Sequence, residues 1–488
     1  MERKMKMLKE KLKEKLKEKL KEKAEQIAKI PREYELEIED YVEKKKGEER
    51  VLFAWKNTIN KNEEISIELD GSGSLTFFSK NLKVEHHHDD VLTDVQLKEI
   101  ALQFVNNHYP DAIQMFKMNK RELINDKRIR LTYTQYELNL PLPNTGFYID
   151  VTKQGEIVNF KYYGRAQNIS FPNEIMTKEK ALDIFLNELN MNLLITNLSS
   201  EIYENENADN LPHLVFEPNF PLVNVPADPK RDGLLRENEE INESGLEALP
   251  SRVEGQTNIE ELIGLNFNIF KKIRETDLGS TIGTVWRMEV DEPDDSDRSI
   301  LGFYQKRNEN TIKLIKDKNS GEIKGVFSFM EKQGALKLNQ EECFEIAVQF
   351  LFKIFPKADS YFQLVPSKTE SKDSRASFHF QMNHQEVPIR FGNVVVTVNQ
   401  TKGTVDHYMG PDVDPQKVIM LNTQPSVSEL KAKEMFKEHF DVELQWTKEY
   451  NQENVEGTYQ MEYKPIYPLL IKELAFIEAQ SGEFILKK

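Results

Sequence analysis

Three stretches of this sequence gather side chains that could do chemistry. The densest is His86, His87, His88, Asp89 and Asp90. Neutral imidazoles and carboxylates bind zinc or nickel. Neighbouring residues of an extended chain point to opposite faces, so three histidines in a row rarely enclose one ion. The run reads as an exposed loop ahead of a helix, with a metal site as the alternative. Asp317, Asn319 and Gly321 hint at a calcium loop, but the sixth and twelfth positions are Glu322 and Ser328, where such a loop needs Gly and Glu. A tight hairpin turn accounts for these residues better. Asp291, Glu292, Asp294, Asp295 and Asp297 form an acidic run that reads as a solvated loop in preference to a hard-cation site.

Nucleophiles are as sparse. Cys343 is the one cysteine, so no internal disulfide forms. It falls on the apolar face of a helical pattern with Ala347 and Phe350, the setting of a buried, inert thiol. His379 and His384 lie five apart on strand-like sequence and would face opposite ways. There is no HExxH, GxSxG or phosphate-binding glycine loop, and Gly71-Ser-Gly73 lacks the third glycine of a dinucleotide motif. With 82 carboxylates, chance pairs occur everywhere, and naming two as acid and base would be arbitrary. The sequence therefore nominates no catalytic, cofactor-binding or metal-binding residue, and no cofactor.

The elements that would position a site are far more legible. The 488 residues exceed one ordinary domain, and 28 Phe among 39% hydrophobic residues supply real cores. The net charge of −16 is uneven: residues 1–30 hold twelve Lys or Arg against six Glu, a net of +6, so the remainder carries −22. An acidic body repels phosphate backbones, which argues against nucleic acid as its partner. No window is long and apolar enough to cross a bilayer, and the charged start has no apolar signal core. A cytoplasmic location is expected.

Leu8, Leu12, Leu16 and Leu20 recur every four residues in a Lys/Glu-rich run ended by Pro31. The spacing predicts a charged N-terminal helix over 1–30 whose leucines spiral slowly round it. A solvated helix is the expectation, with weak contact to an anionic membrane surface or a partner helix as alternatives.

The strongest signal is an internal duplication. Residues 92–112, LTDVQLKEIALQFVNNHYPDA, align without a gap to 338–358, LNQEECFEIAVQFLFKIFPKA. The identities include Leu92/Leu338, Ile100/Ile346, Ala101/Ala347, Phe104/Phe350 and Pro110/Pro356. Thr93 with Gln96, and Asn339 with Glu342, have capping-box spacing. Upstream of each helix a Trp (Trp55, Trp286) precedes a hairpin pattern turning near Gly71–Gly73 or at Gly321. Downstream, Ile129, Leu131 and Tyr133 match Phe378, Phe380 and Met382, then strand–turn–strand patterns carry Gly155 and Gly403. Second helices follow, with Ala181 and Phe185 in one copy and Ala432 and Phe436 in the other, and strands 213–221 and 459–468 close the copies. Strands joined by short turns predict antiparallel sheets with helices on one face, an α+β class.

The repeated block resembles the YcdB/YcdC repeated-domain family. The resemblance rests on EIALQF and EIAVQF, on the strands with Asp150 and Asn399 leading to Gly155 and Gly403, and on FIEAQSGEFI near the C-terminus. That last phrase is also similar to PepSY modules, small α+β units of peptidase propeptides and regulators. The resemblance implies two PepSY-like repeats, at 33–227 and 263–488; between them, composition rich in Asn, Glu, Asp, Gly and Pro predicts an acidic flexible linker over 228–258. It carries over no catalytic residue. Family members usually look exported or membrane-anchored, whereas this chain starts with a charged helix. The expected function is a non-enzymatic binding or regulatory role toward a peptide or peptidase. The alternatives are a hydrolase with a dispersed acidic site between the copies, and an envelope- or membrane-associated structural protein.

Overall fold

The computed structural model describes residues 2–42, 49–81, 91–124, 127–204, 209–231, 233, 245–251, 257–289, 297–331, 333–366, 374–450, 457–470 and 472–488, with side chains from residue 14. Both repeats build one antiparallel sheet of the same order. In the first, the spatial sequence is Tyr34–Val42, Arg50–Asn57, Glu64–Asp70, Leu75–Asn81, Ile157–Gly164, Gly146–Thr152, Arg128–Thr134 and Lys117–Ile124. In the second it is Phe270–Asp277, Thr281–Met288, Thr311–Asp317, Ile323–Ser328, Val405–Met409, Asn393–Asn399, Arg375–Met382 and Phe362–Val365. Trp55 and Trp286 both stand on the second strand of this order.

An equivalent helix packs on one face of each sheet, Asp94–His108 in the first and Gln340–Ile354 in the second. Both begin with the expected capping box, at Thr93/Gln96 and Asn339/Glu342. Their contacts repeat residue for residue. Phe104 meets Phe160 edge-on at 5.4 Å, and Phe350 meets Tyr408 at 5.0 Å. Leu92 N–H donates to Lys153 O at 2.9 Å, and Leu338 N–H to Gln400 O at 2.9 Å. Gly155 lies under Leu92 and Ile100, and Gly403 under Leu338 and Ile346. The two glycine turns differ by one residue, since Gly155 N–H closes on Thr152 O but Gly403 N–H closes on Asn399 O.

The ladder registers correct the strand alignment. Ile149 pairs with Phe160 and Leu131, and Val396 pairs with Tyr408 and Phe378. Leu131 therefore corresponds to Phe378, Asp150 to Thr397, and Asn399 to Thr152. Asp150 and Asn399 are not equivalent positions.

The N-terminal helix, Glu2–Ala28, is not a free arm along its whole length. Leu20, Ala24 and Ala28 continue the four-residue spacing and are buried in the first repeat's core. Lys17 stacks over Tyr41 at 4.2 Å. The tilted leucine stripe is a docking seam at its C-terminal end, while Leu16 remains exposed.

The closing segments of the copies do not stay apart. Asn190–Asn197 and Pro212–Asn219 form a hairpin from the first copy, and Asp441–Glu449 and Thr458–Ile466 form its counterpart from the second. Each hairpin takes its next strand from the other copy: Val225–Pro226 joins Thr458–Ile466, and Leu474–Glu478 joins Pro212–Asn219. The helices cross over too. Lys178–Glu188 packs on Asp441–Glu449, and Glu429–His439 packs on the first copy's hairpin. Phe185, Phe220, Phe436 and Phe440 interlock at the centre. The repeats as delimited from sequence thus share a third, interwoven module. Its apolar core is continuous with that of the second repeat.

The expected linker is also partly structured. Glu247–Ala248 adds a strand to the second sheet beside Phe362–Val365, and Leu249 is buried. Residues 232, 234–244 and 252–256 lie outside the described residues.

Candidate functional site: a cleft between the interwoven module and the second sheet

The face of the second sheet opposite helix Gln340–Ile354 is not flat solvent-facing surface. Ile315, Gly325, Met409 and Val395 stand in one cross-strand row on it. They form part of the floor of a cleft of about 2410 Å³. The facing wall is the first copy's strand Asn190–Asn197, an edge of the interwoven module. The seam at the cleft's inner end is backbone to backbone. Ile195 N–H donates to Pro388 O at 2.9 Å, and Arg390 N–H donates to Ile195 O at 2.8 Å, a parallel pairing. Asn197 Nδ2 donates to Asp412 O at 3.3 Å, and Asp412 N–H to Phe391 O at 3.0 Å.

This pairing stops at Ile195. In a ladder, outward-facing backbone groups alternate along an edge strand. Met191 and Leu193 share the outward phase of Ile195, and no described backbone group pairs with them on that side. The cleft wall therefore offers a short open strand edge.

Seven carboxylates and four cations line the cleft. Arg390 Nη2 pairs with Glu217 at 2.7 Å and lies over Phe476 at 5.3 Å. Lys324 pairs with Glu322 at 2.7 Å. Asp412 keeps solvent contact at the mouth, yet desolvation by the walls raises its carboxyl above the ordinary range, with Lys324 opposing the shift. Asn197 Oδ1 is buried without a hydrogen-bond partner. Phe391 and Met409 expose apolar surface here. The cleft can hold a chain with main-chain amides and a positive or neutral side-chain complement.

The residues singled out from sequence lie elsewhere. His86, His87, His88, Asp89 and Asp90 lie outside the described residues, as do Asp291, Glu292, Asp294 and Asp295. Asp297 accepts Ser299 N–H at the start of a helix. Asp317 holds the hairpin turn expected of it, accepting from Asn319 N–H at 2.9 Å and Ser320 N–H at 2.8 Å, with Gly321 at φ 72°. Asp317 also stands at the cleft rim. Cys343 is buried, and desolvation pushes its thiol pKa up. His384 meets Leu421 O at 3.1 Å, away from His379. Among the described residues, no group of three or more His, Cys, Asp or Glu could hold a metal ion. The cleft residues left no local signal, since Asn197 and Asp412 are 215 positions apart.

Two like sheets, each with its own helix, and a jointly built closing module define a tandem-repeat α+β protein. The chain belongs to the family of the YcdB, YcdC repeated domain, whose model matches residues 17–164 and 256–412. It is 36% identical to the uncharacterized protein YcdB of Bacillus subtilis (strain 168) over 468 residues, 94% of this chain and 95% of that protein. It is 35% identical to YcdC of the same organism over 449 residues, 91% and 95% of the two chains. The matched spans end at or just past the strand of each sheet that comes last along the chain, Ile157–Gly164 and Val405–Met409. The YpeB C-terminal domain of Bacillus megaterium aligns at 12% identity and a TM-score of 0.26, covering 43% of this chain and 92% of that one. No described helix is long and apolar enough to cross a membrane.

Proposed function

We propose that this protein is a binding or regulatory protein that takes an extended peptide segment into the cleft by strand addition. The observation that carries the reading is the open edge at Met191 and Leu193, next to the parallel pairing already made by Pro388–Arg390. Main-chain hydrogen bonds along such an edge supply affinity, and alternate side chains read the walls. The excess of carboxylates favours a basic segment. Apolar contacts with Phe391 and Met409 favour alternation of basic and apolar residues.

The test is fluorescence anisotropy on decapeptides of varied charge. Basic, alternating peptides are expected to bind saturably. Leu193→Pro, which removes an outward N–H, and the charge reversal Asp412→Lys are each expected to weaken binding at least tenfold. Absence of saturable binding, or indifference to both substitutions, refutes the reading. Mass spectrometry of the same peptides separates binding from the hydrolase alternative, because intact peptides are expected.

A further inference from the structure

In this acidic chain a patch of the second repeat, like the N-terminal helix, runs the other way. On the face of the second sheet opposite helix Gln340–Ile354, Arg274, Val285 and Lys313 stand opposite one another in a single cross-strand row. Arg287 lies one row along. Its Nη2 donates to Lys306 O at 2.6 Å and Arg307 O at 3.2 Å, fixing the last turn of helix Ile300–Asn308 to the sheet. That contact places Arg307 beside the row. Lys313 lies 4.6 Å over the Phe329 ring and donates to Asn308 Oδ1 at 2.6 Å.

Four cations thus share one patch. The charges that depress the pKa values of Arg274 and Lys313, after desolvation, are neighbouring arginines. No described carboxylate makes an ion pair with Arg274, Arg287, Arg307 or Lys313. Arg287 Nε is buried without a partner.

Helix carbonyls attract cations, which accounts for Arg287 and in part for Lys313. It does not account for Arg274, which lies on the edge strand beyond. Edge strands carry exposed charge to deter pairing, but Arg274 is half-buried. A hollow of about 800 Å³ opens beside Lys313, walled by Tyr304, Phe327, Phe329 and His407, with Glu309 and the Arg375–Asp406 ion pair also on its lining. Half-buried like charges repel unless an anion joins them, and guanidinium groups match phosphate oxygens in pairs.

We propose that Arg274, Arg307 and Lys313 form an anion site for a phosphate-bearing ligand, whose remaining body enters the hollow beside helix Ile300–Asn308. The ligand is either a free phosphorylated molecule or a lipid headgroup. Calorimetry of the full chain with pyrophosphate at low salt, and flotation with phosphatidylglycerol vesicles, separate these sources. Saturable binding in either arm is expected, weakening with added salt. The double variant Arg274→Gln/Lys313→Gln is expected to lose at least tenfold in affinity. Arg307→Gln, at an exposed position, is expected to keep the fold and lose several-fold. Without ligand, the double variant is expected to melt no lower than the parent, because a repulsion has been removed. Absence of saturable binding in both arms overturns the proposal, as does unchanged affinity in the double variant.

Discussion

The equivalence of the two sheets makes a quantitative prediction at one buried pair. In the first sheet Asp150 is fully buried, and Arg130 grips it with Nε to Oδ1 at 2.6 Å and Nη2 to Oδ2 at 2.9 Å. The carboxylate holds the Arg130 pKa above its usual value. At the corresponding place the second sheet has Ser377 and Thr397, whose hydroxyls are 2.9 Å apart. Arg130→Ser alone strands a carboxylate with no cation and is expected to cost about 3–5 kcal/mol. Asp150→Thr alone costs less, about 1–3 kcal/mol, since the guanidinium is part-exposed and can turn to water. The double variant rebuilds the second sheet's pair and is expected to fall within about 1–2 kcal/mol of the parent, a coupling of about 2 kcal/mol or more. Native-state hydrogen exchange of the Gly146–Thr152 amides measures the free energy in the sheet concerned. A double variant as unstable as Arg130→Ser alone would refute the equivalence.

Phe185→Ala and Phe436→Ala sit in opposite copies but one core, so each is expected to cost about 3–5 kcal/mol and to loosen exchange in both hairpins. Ala24→Glu buries a charge where the N-terminal helix docks and is expected to lower the melting temperature of the first repeat, seen by calorimetry. His407 has its pKa lowered by burial and then by Arg375. Its contribution to stability is present above the unfolded value near 6.5 and is lost as pH falls through the lower folded value. Proton-detected titration should place it below 6.5, and a value above that contradicts its packing against Phe327. Asp412 shifts the other way. Asp412→Asn is expected to raise stability at neutral pH, with the gain shrinking as acid protonates the parent carboxyl.

The duplicated framework was legible because it is local. Capping boxes at Thr93 and Asn339, alternation along the strands and the glycine turns are each written within a few residues, and large side chains mark the core faces. The alignment of Asp150 with Asn399 failed because each is a polar residue on a strand leading to a glycine turn, and local pattern alone does not fix register: the ladders place Asn399 two residues beyond Thr397, the counterpart of Asp150. The interwoven module was hidden for a different reason. Hydrophobic periodicity says that Phe185 and Phe436 are buried, but it does not say against which hairpin. Pairing such as Val215 with Glu478 joins segments whose own patterns fit either copy equally well. The cleft inherits that invisibility, since its wall and floor meet only after the exchange. The cations Arg274, Arg307 and Lys313 were equally silent, spread over two strands and a helix that a sequence scan reads as ordinary charged surface.

The trading of closing strands is tested most directly by cutting the chain between the copies. A protease site placed within residues 234–244, once cleaved, leaves two fragments without a covalent link. They are expected to co-elute in size-exclusion chromatography as one particle and to separate only in denaturant. Elution as two independently folded halves would contradict the interwoven module, and with it the cleft built on its edge.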